Sequence, residues 1–147
     1  MAITDTNTEK QRLAYDRRAI CIHEAGHAVC ARSLGYRTVL LAVWARKGKT
    51  KGRTNFGIIS TFKMLFWNHE YDSVIVQAGG IAETIFSGNS LRSPSDARHL
   101  DASGRTPEQL AGDAQRAEAI VQEHWQEILD LADVLEEKGL LIFWKNP

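Results

Sequence analysis

Residues 21–30 read Cys21-Ile22-His23-Glu24-Ala25-Gly26-His27-Ala28-Val29-Cys30, inside a longer stretch of helix-forming composition over residues 10–34. Ile20, His23, His27, Cys30 and Leu34 recur at helical spacing and Gly35 supplies a stop, so one helix is expected over residues 10–34. In such a helix His23 and His27 stand about 40° apart around the axis and about 6 Å apart along it, and both imidazoles reach one ion. The pattern is H-E-x-x-H, which carries meaning only in this helical setting. Catalytic zinc takes three protein ligands and leaves a fourth position to water, whose pKa it lowers to about 7. Glu24, beside one histidine, is then placed to take the proton of the attacking water and pass it to a leaving amine. Two partly buried histidines on a core-facing stripe would show the same spacing. Glu24 argues for the catalytic arrangement, because a structural zinc site needs no base and closes all four positions with protein.

Outward from this helix, residues 38–46 are rich in Val, Leu and Trp and residues 55–62 form a second β-type run. The Gly- and Lys-containing residues 47–53 between them predict a long hairpin loop. Asn68 is a candidate cap for a helix over residues 70–86, whose Gly79 and Gly80 suggest close packing against another backbone. Residues 87–95 read as a loop, and Asp96 opens a short helical stretch ending near Gly104. Thr106, Pro107 and Gln109 predict a capping-box start, followed by Ala117, Val121, Trp125, Ile128, Ala132 and Leu135 at helical spacing to a stop at Gly139. The expected fold is α+β and mostly helical: a zincin-like metal helix, a small β-hairpin or sheet, and a long C-terminal helix.

The composition bounds what this fold can do. With 147 residues, 44% hydrophobic, 11 Gly and 3 Pro, the chain fits one domain over residues 1–147 with a frayed start over residues 1–9. A domain of this size folds without a metal, so any metal calls for a functional explanation. Eighteen basic and 18 acidic side chains cancel, which removes any global attraction to nucleic acid or an anionic membrane. The opening residues lack a signal-peptide plan and the longest apolar run, residues 39–45, is far short of a bilayer span, so a soluble, cytoplasmic protein is expected. Cys21 and Cys30 lie on opposite sides of their helix and cannot bridge each other there; they read as small core hydrophobes.

The residue types available as a third ligand are His69, Glu83, Asp96, His99 and Asp101, and spacing does not choose among them. The HEAGHAV core, then Ala78-Gly79-Gly80-Ile81-Ala82-Glu83, then Ser93-Pro94-Ser95-Asp96 opening a helix, resembles the peptidase domain of FtsH-type ATP-dependent zinc proteases. The likeness runs from about residue 14 to residue 141. It implies a zinc peptidase with Zn²⁺ on His23, His27 and Asp96, and with Glu83 as a supporting acid. The segment between Glu83 and Asp96 is shorter than the family's, and Ser93-Pro94 replaces the Gly-Ala before its aspartate. Ser93 and Asp96 also fit a helix cap that needs no metal.

These 147 residues are not expected to include the family's ATPase. Gly48-Lys49-Thr50 resembles the end of a phosphate-binding loop, but Val43 stands where its first Gly belongs, and ATP binding is not expected. Arg46, Lys47, Lys49, Lys51 and Arg53 lack interleaved aromatics and read as a solvated loop, not a nucleic-acid patch. The expected activity is metalloendopeptidase cleavage of peptides or unfolded proteins, with a separate ATPase or a homo-oligomer as partner. Residues 55–62 would hold substrate extended as a strand, with Gly57 allowing close approach. Trp44, Phe56, Phe62, Phe66 and Trp67 are pocket candidates, and His69, Tyr71 and His99 are candidate oxyanion stabilisers. The alternatives are a non-catalytic zinc-binding module and a helical interaction protein with Trp125 in an oligomer seam.

Overall fold

The computed structural model describes residues 6–47, 49–56, 69–88 and 93–143. Among them are five helices and three strands: α1 (Thr6–Ser33), β1 (Leu40–Arg46), β2 (Lys49–Asn55), α2 (His69–Ser87), α3 (Pro94–Asp101), α4 (Pro107–Glu123), α5 (Trp125–Lys138) and β3 (Leu140–Ile142). The described chain is mostly helical, with one small antiparallel sheet in the order β2-β1-β3. Among the described residues no helix is long and apolar enough to cross a membrane.

Helix α1 is central. It packs on α2, α5 and β2, and its Ile22, Val29 and Cys30 form the core with Leu41, Val74, Ile75, Val121, Ile128 and Leu135. The α1–α2 crossing is close because its residues are small: a Cβ on Gly26 would lie 2.9 Å from Ala82 Cβ and 3.0 Å from the Ala78 carbonyl oxygen. That approach brings the His23–His27 face of α1 against α2. At the other side Arg17 Nη2 donates to the Glu136 carbonyl at 2.8 Å, and Arg18 pairs with Asp133 and Glu136, tying α1 to α5.

Several sequence expectations change. Helix α1 begins at Thr6, so residues 6–9, expected to fray, belong to its start. The expected loop over residues 47–53 is mostly strand: β1 pairs with β2 from Leu40↔Asn55 to Arg46↔Lys49, and only residues 47 and 48 connect them, with Lys47 at φ 51°. Strand β2 reads KTKGRTN, alternately exposed and half-buried. Among the described residues it is an edge strand whose inward positions are Thr50, Gly52 and Thr54, so no apolar alternation announces it. The expected second strand over residues 55–62, Gly57 and the Asn68 cap lie largely or wholly outside the described residues.

The long C-terminal helix is two, α4 and α5, meeting at His124, where φ is −105° and ψ 21°. The i→i−4 bonds to and from His124 persist at 3.0 Å each across the junction. The capping box at Thr106–Gln109 forms as expected, and Gly139 ends α5 in the left-handed region at φ 72°. Gly139 then accepts from Val43 N–H at 2.8 Å and feeds β3 onto the free edge of β1, pairing Leu40↔Ile142 and Ala42↔Leu140. A three-residue strand behind a helix stop carries too little pattern to be read from sequence.

Candidate metal centre

His23 and His27 sit on successive turns of α1 with their Nε2 atoms 3.0 Å apart. Helix α2 fixes both rings from behind. His23 Nδ1 lies 2.9 Å from Glu83 Oε2, and His27 Nδ1 lies 2.8 Å from the Ile75 carbonyl oxygen. Gly79 makes room for the second ring: a Cβ there would be 2.5 Å from both Cε1 and Nε2 of His27. Gly79 meets the α1 backbone as expected, its Cα 3.3 Å from a Cβ built on Gly26, and it is also the floor under an imidazole.

Asp96 arrives from α3. Ser93 caps that helix and Pro94 occupies its first turn, which places Asp96 one turn in, its N–H 3.5 Å from Ser93 Oγ. The carboxylate does not return to the cap. Asp96 Oδ2 lies 3.0 Å from His23 Nε2 and 3.4 Å from His27 Nε2. Among the described residues these three form the group of histidine and acidic side chains whose ligand atoms all lie within 4.8 Å of one another, and the cluster can hold a metal ion.

The hydrogen bonds behind the rings decide what the cluster needs. A carbonyl oxygen and a carboxylate accept only, so Nδ1 of each ring carries a proton, and once a ring is neutral its Nε2 lone pair faces forward. Two lone pairs and a carboxylate oxygen then converge with no donor among them. Only a cation or extra protons can fill that centre. Tetrahedral ligands at 2.0–2.1 Å from zinc stand about 3.3 Å apart, close to the separations of 3.0–3.4 Å seen here. The donor set therefore fits the ion. Burial opposes charge on His23, but its hydrogen bonds to Asp96 and Glu83 overcome it and hold the pKa up to about 10. Burial acts to raise Asp96, yet its bonds from His23 and His27 hold it well below the usual carboxylate range. Both directions say that the site demands positive charge.

Glu24 is buried beside this centre. Its Oε2 accepts from Thr54 Oγ1, and a Cβ on Gly52 would lie 2.5 Å from its Oε1. Strand β2 thus holds the carboxylate with a hydroxyl and leaves it space with a glycine. Glu24, His23, His27 and Asp96 line one cleft of about 340 Å³, with Thr54 and Phe56 on the β2 side and Asp72 and His99 on the helical side. A larger cavity of about 640 Å³ adjoins it through His23 and Asp96, and carries Ile81, Ile85, Leu100 and Leu110 on its wall.

The other candidates separate cleanly. Glu83 meets His23 from behind, and His99 lies in the cleft bonded to Asp72 at 2.5 Å. Asp101 is exposed and lines the adjoining cavity. Tyr71 is not in the cleft, since its ring packs edge-on to Tyr36 and under the Arg116 guanidinium. Trp44 is exposed on the sheet, Trp125 packs against the core, and Phe62, Phe66, Trp67 and the His69 side chain lie outside the described residues. Lys49 and Thr50 belong to β2, not to a turn before a helix. Thr54, Gly52 and Asp72 escaped the sequence reading: Gly52 lies in the part of a polar strand expected as loop, Thr54 falls between that loop and the expected second strand, and Asp72 has no motif around it. Cys21 and Cys30 are free and buried, and burial raises their thiols to about 11 and about 12.

No family model matches the chain, and a search of curated proteins finds no relative for it.

Proposed function

We propose that this chain is a zinc-dependent metalloendopeptidase of zincin-like architecture acting on peptides or unfolded proteins. The observation that carries the reading is the convergence of two imidazole lone pairs and a carboxylate, with no donor between them, in the same cleft as a buried glutamate. The resemblance of the HEAGHAV, Gly-Gly-Ile-Ala-Glu and Ser-Pro-Ser-Asp segments to FtsH-type peptidases supports it independently of this geometry.

In this reading His23, His27 and Asp96 hold Zn²⁺, which when bound acidifies a water and polarises the substrate carbonyl. Glu24 takes the proton of the attacking water and delivers it to the amine nitrogen as the C–N bond breaks. Thr54 keeps the Glu24 carboxylate turned to the cleft, and Gly52 lets the strand come close without displacing it. Glu83 and the Ile75 carbonyl fix which nitrogen of each ring faces forward. The adjoining cavity suits an apolar substrate side chain. The cytoplasm, where a separate ATPase can present unfolded chains, is the compartment that suits such a domain.

The test is cleavage of unfolded casein by protein loaded with one zinc per chain, compared with Glu24→Gln. We expect the wild type to cleave and the variant to lose 10²-fold or more in rate, in the range of about 10²–10⁴ for a general base, while keeping its zinc. Hydrolysis by Glu24→Gln at the wild-type rate would exclude the base. Absence of zinc after reconstitution would exclude the peptidase.

A further inference from the structure

One polar pair in the cleft stands apart from the metal cluster and the base. His99 Nε2 lies 2.5 Å from Asp72 Oδ2, joining α3 to α2. The pair is asymmetric: the Asp72 side chain is 12% exposed and the His99 side chain 43%. A buried carboxylate thus grips one nitrogen of a ring that stays open to the cleft, which both residues line together with Glu24 and the metal cluster. His99 follows Asp96 by three residues on α3, so the two share a helix face about 4.5 Å apart along its axis. The hydrogen bond to Asp72 favours the imidazolium over its ordinary state. With Nε2–H given to Asp72, the cation has its Nδ1–H left to offer.

We propose that His99, held by Asp72, is a catalytic residue that donates a hydrogen bond to the substrate carbonyl oxygen as it becomes an oxyanion. The proposal rests on the peptidase reading. Addition of water forms a C–O bond at the carbonyl carbon and moves the C=O π pair onto oxygen, while the water proton goes to Glu24. Collapse of the adduct re-forms C=O and breaks C–N, and the Glu24 proton leaves on the amine. His99 transfers no proton; it donates to the oxygen while the negative charge is there, and Asp72 keeps the ring oriented and cationic. A preorganised donor of this kind is worth about 10²–10³ in rate.

The alternative role for the pair is mechanical, since α3 has no fully buried residue and needs something to hold it to the body. The experiment separates the two with His99→Phe, which keeps a ring and removes both donors, and His99→Gln, which keeps a donor. Zinc affinity and thermal midpoint are measured first, then kcat and KM on unfolded casein. Binding is measured for two probes: a dipeptide phosphinate, whose tetrahedral anion mimics the adduct, and a planar dipeptide hydroxamate. We expect His99→Phe to keep zinc and midpoint, lose about 10²-fold in kcat with KM within twofold, and bind the phosphinate about 10²-fold more weakly with the hydroxamate unchanged. His99→Gln should recover part of the loss. Wild-type kcat in His99→Phe, or equal weakening of both probes, would overturn the proposal, as would loss of zinc or a lowered midpoint in both variants, which would assign the pair to holding α3. If zinc-loaded wild type neither cleaves casein nor binds the phosphinate, it is the peptidase reading that has failed.

Discussion

Gly79→Ala tests the metal centre without touching a ligand. In an exposed helix the change would stabilise the chain by about 1 kcal/mol. At Gly79 the new methyl would start 2.5 Å from Cε1 and Nε2 of His27, where carbon atoms normally rest about 3.5 Å apart. The ring must therefore retreat by about 1 Å on the edge that carries the forward nitrogen. Its hydrogen bond to the Ile75 carbonyl at 2.8 Å and its buried surroundings resist that retreat. Metal–ligand distances tolerate only about 0.2 Å, so the displaced nitrogen no longer bonds well. We expect zinc affinity to fall about 100-fold, or about 2.8 kcal/mol, and apo stability to drop by about 1–3 kcal/mol from crowding. Gly112→Ala is the control, because nothing lies within 4 Å of a Cβ there on α4, and it should gain stability and keep zinc. Chelator-competition titration gives the affinity and calorimetry the stability. Wild-type zinc affinity in a folded Gly79→Ala protein would refute the placement of His27 against Gly79.

Gly52→Ala should give the complementary phenotype. A Cβ 2.5 Å from Glu24 Oε1 and 2.7 Å from its Cγ pushes the base aside, so cleavage of unfolded casein should fall at least tenfold while zinc affinity stays within about threefold. Equal loss of both would show that β2 supports the ligands and not the base. A proton held on His23 up to about pH 10 must leave before a metal binds, so affinity should rise with pH through the neutral range, by up to about tenfold per unit for each proton displaced. Calorimetry in buffers of different ionisation enthalpy should count at least one proton released per zinc at pH 7, and a count of zero would contradict the extra proton held on His23. Cys21 and Cys30, with burial raising both thiols, should react with a thiol-directed disulfide reagent only after denaturation. Rapid labelling of the native protein would place one of them at a surface.

What was legible in the sequence is what depends on local periodicity. Helix α1 and the facing of His23 and His27 follow from a four-residue spacing, and the capping box at Thr106 and the stop at Gly139 follow from residues adjacent in the chain. Asp96 was singled out by resemblance, and as a cap by its spacing from Ser93; that its carboxylate turns to the histidines is a matter of how α3 sits on α1 and α2. Strand β2 was missed because it is an edge strand whose inward residues are small or hydroxylic. The same fact puts Gly52 and Thr54 against Glu24, so the feature that hid the strand is the one that matters for the site. Asp72 was illegible for a different reason. Its partner His99 is 27 residues away on another helix, and no rule of local chemistry links them.

The candidate site joins two parts of unequal firmness. One half is core: His23 and His27 on α1, backed by Glu83, Gly79 and Ile75 of α2, in a close crossing of small residues. The other half is hung from it. Helix α3 has no fully buried residue and is joined by the side-chain pairs Asp96 with the histidines and His99 with Asp72, while edge strand β2 meets Glu24 through one hydroxyl. Such segments open at lower cost than a core helix. A cation bound at the centre would bridge the halves, because two of its ligands lie on α1 and the third on α3. Metal binding and the ordering of α3 are then one equilibrium: whatever loosens α3 weakens the metal, and the metal closes the cleft wall that carries His99. The base does not depend on α3, since Glu24 lies on α1 and its carboxylate is held by Thr54 of β2.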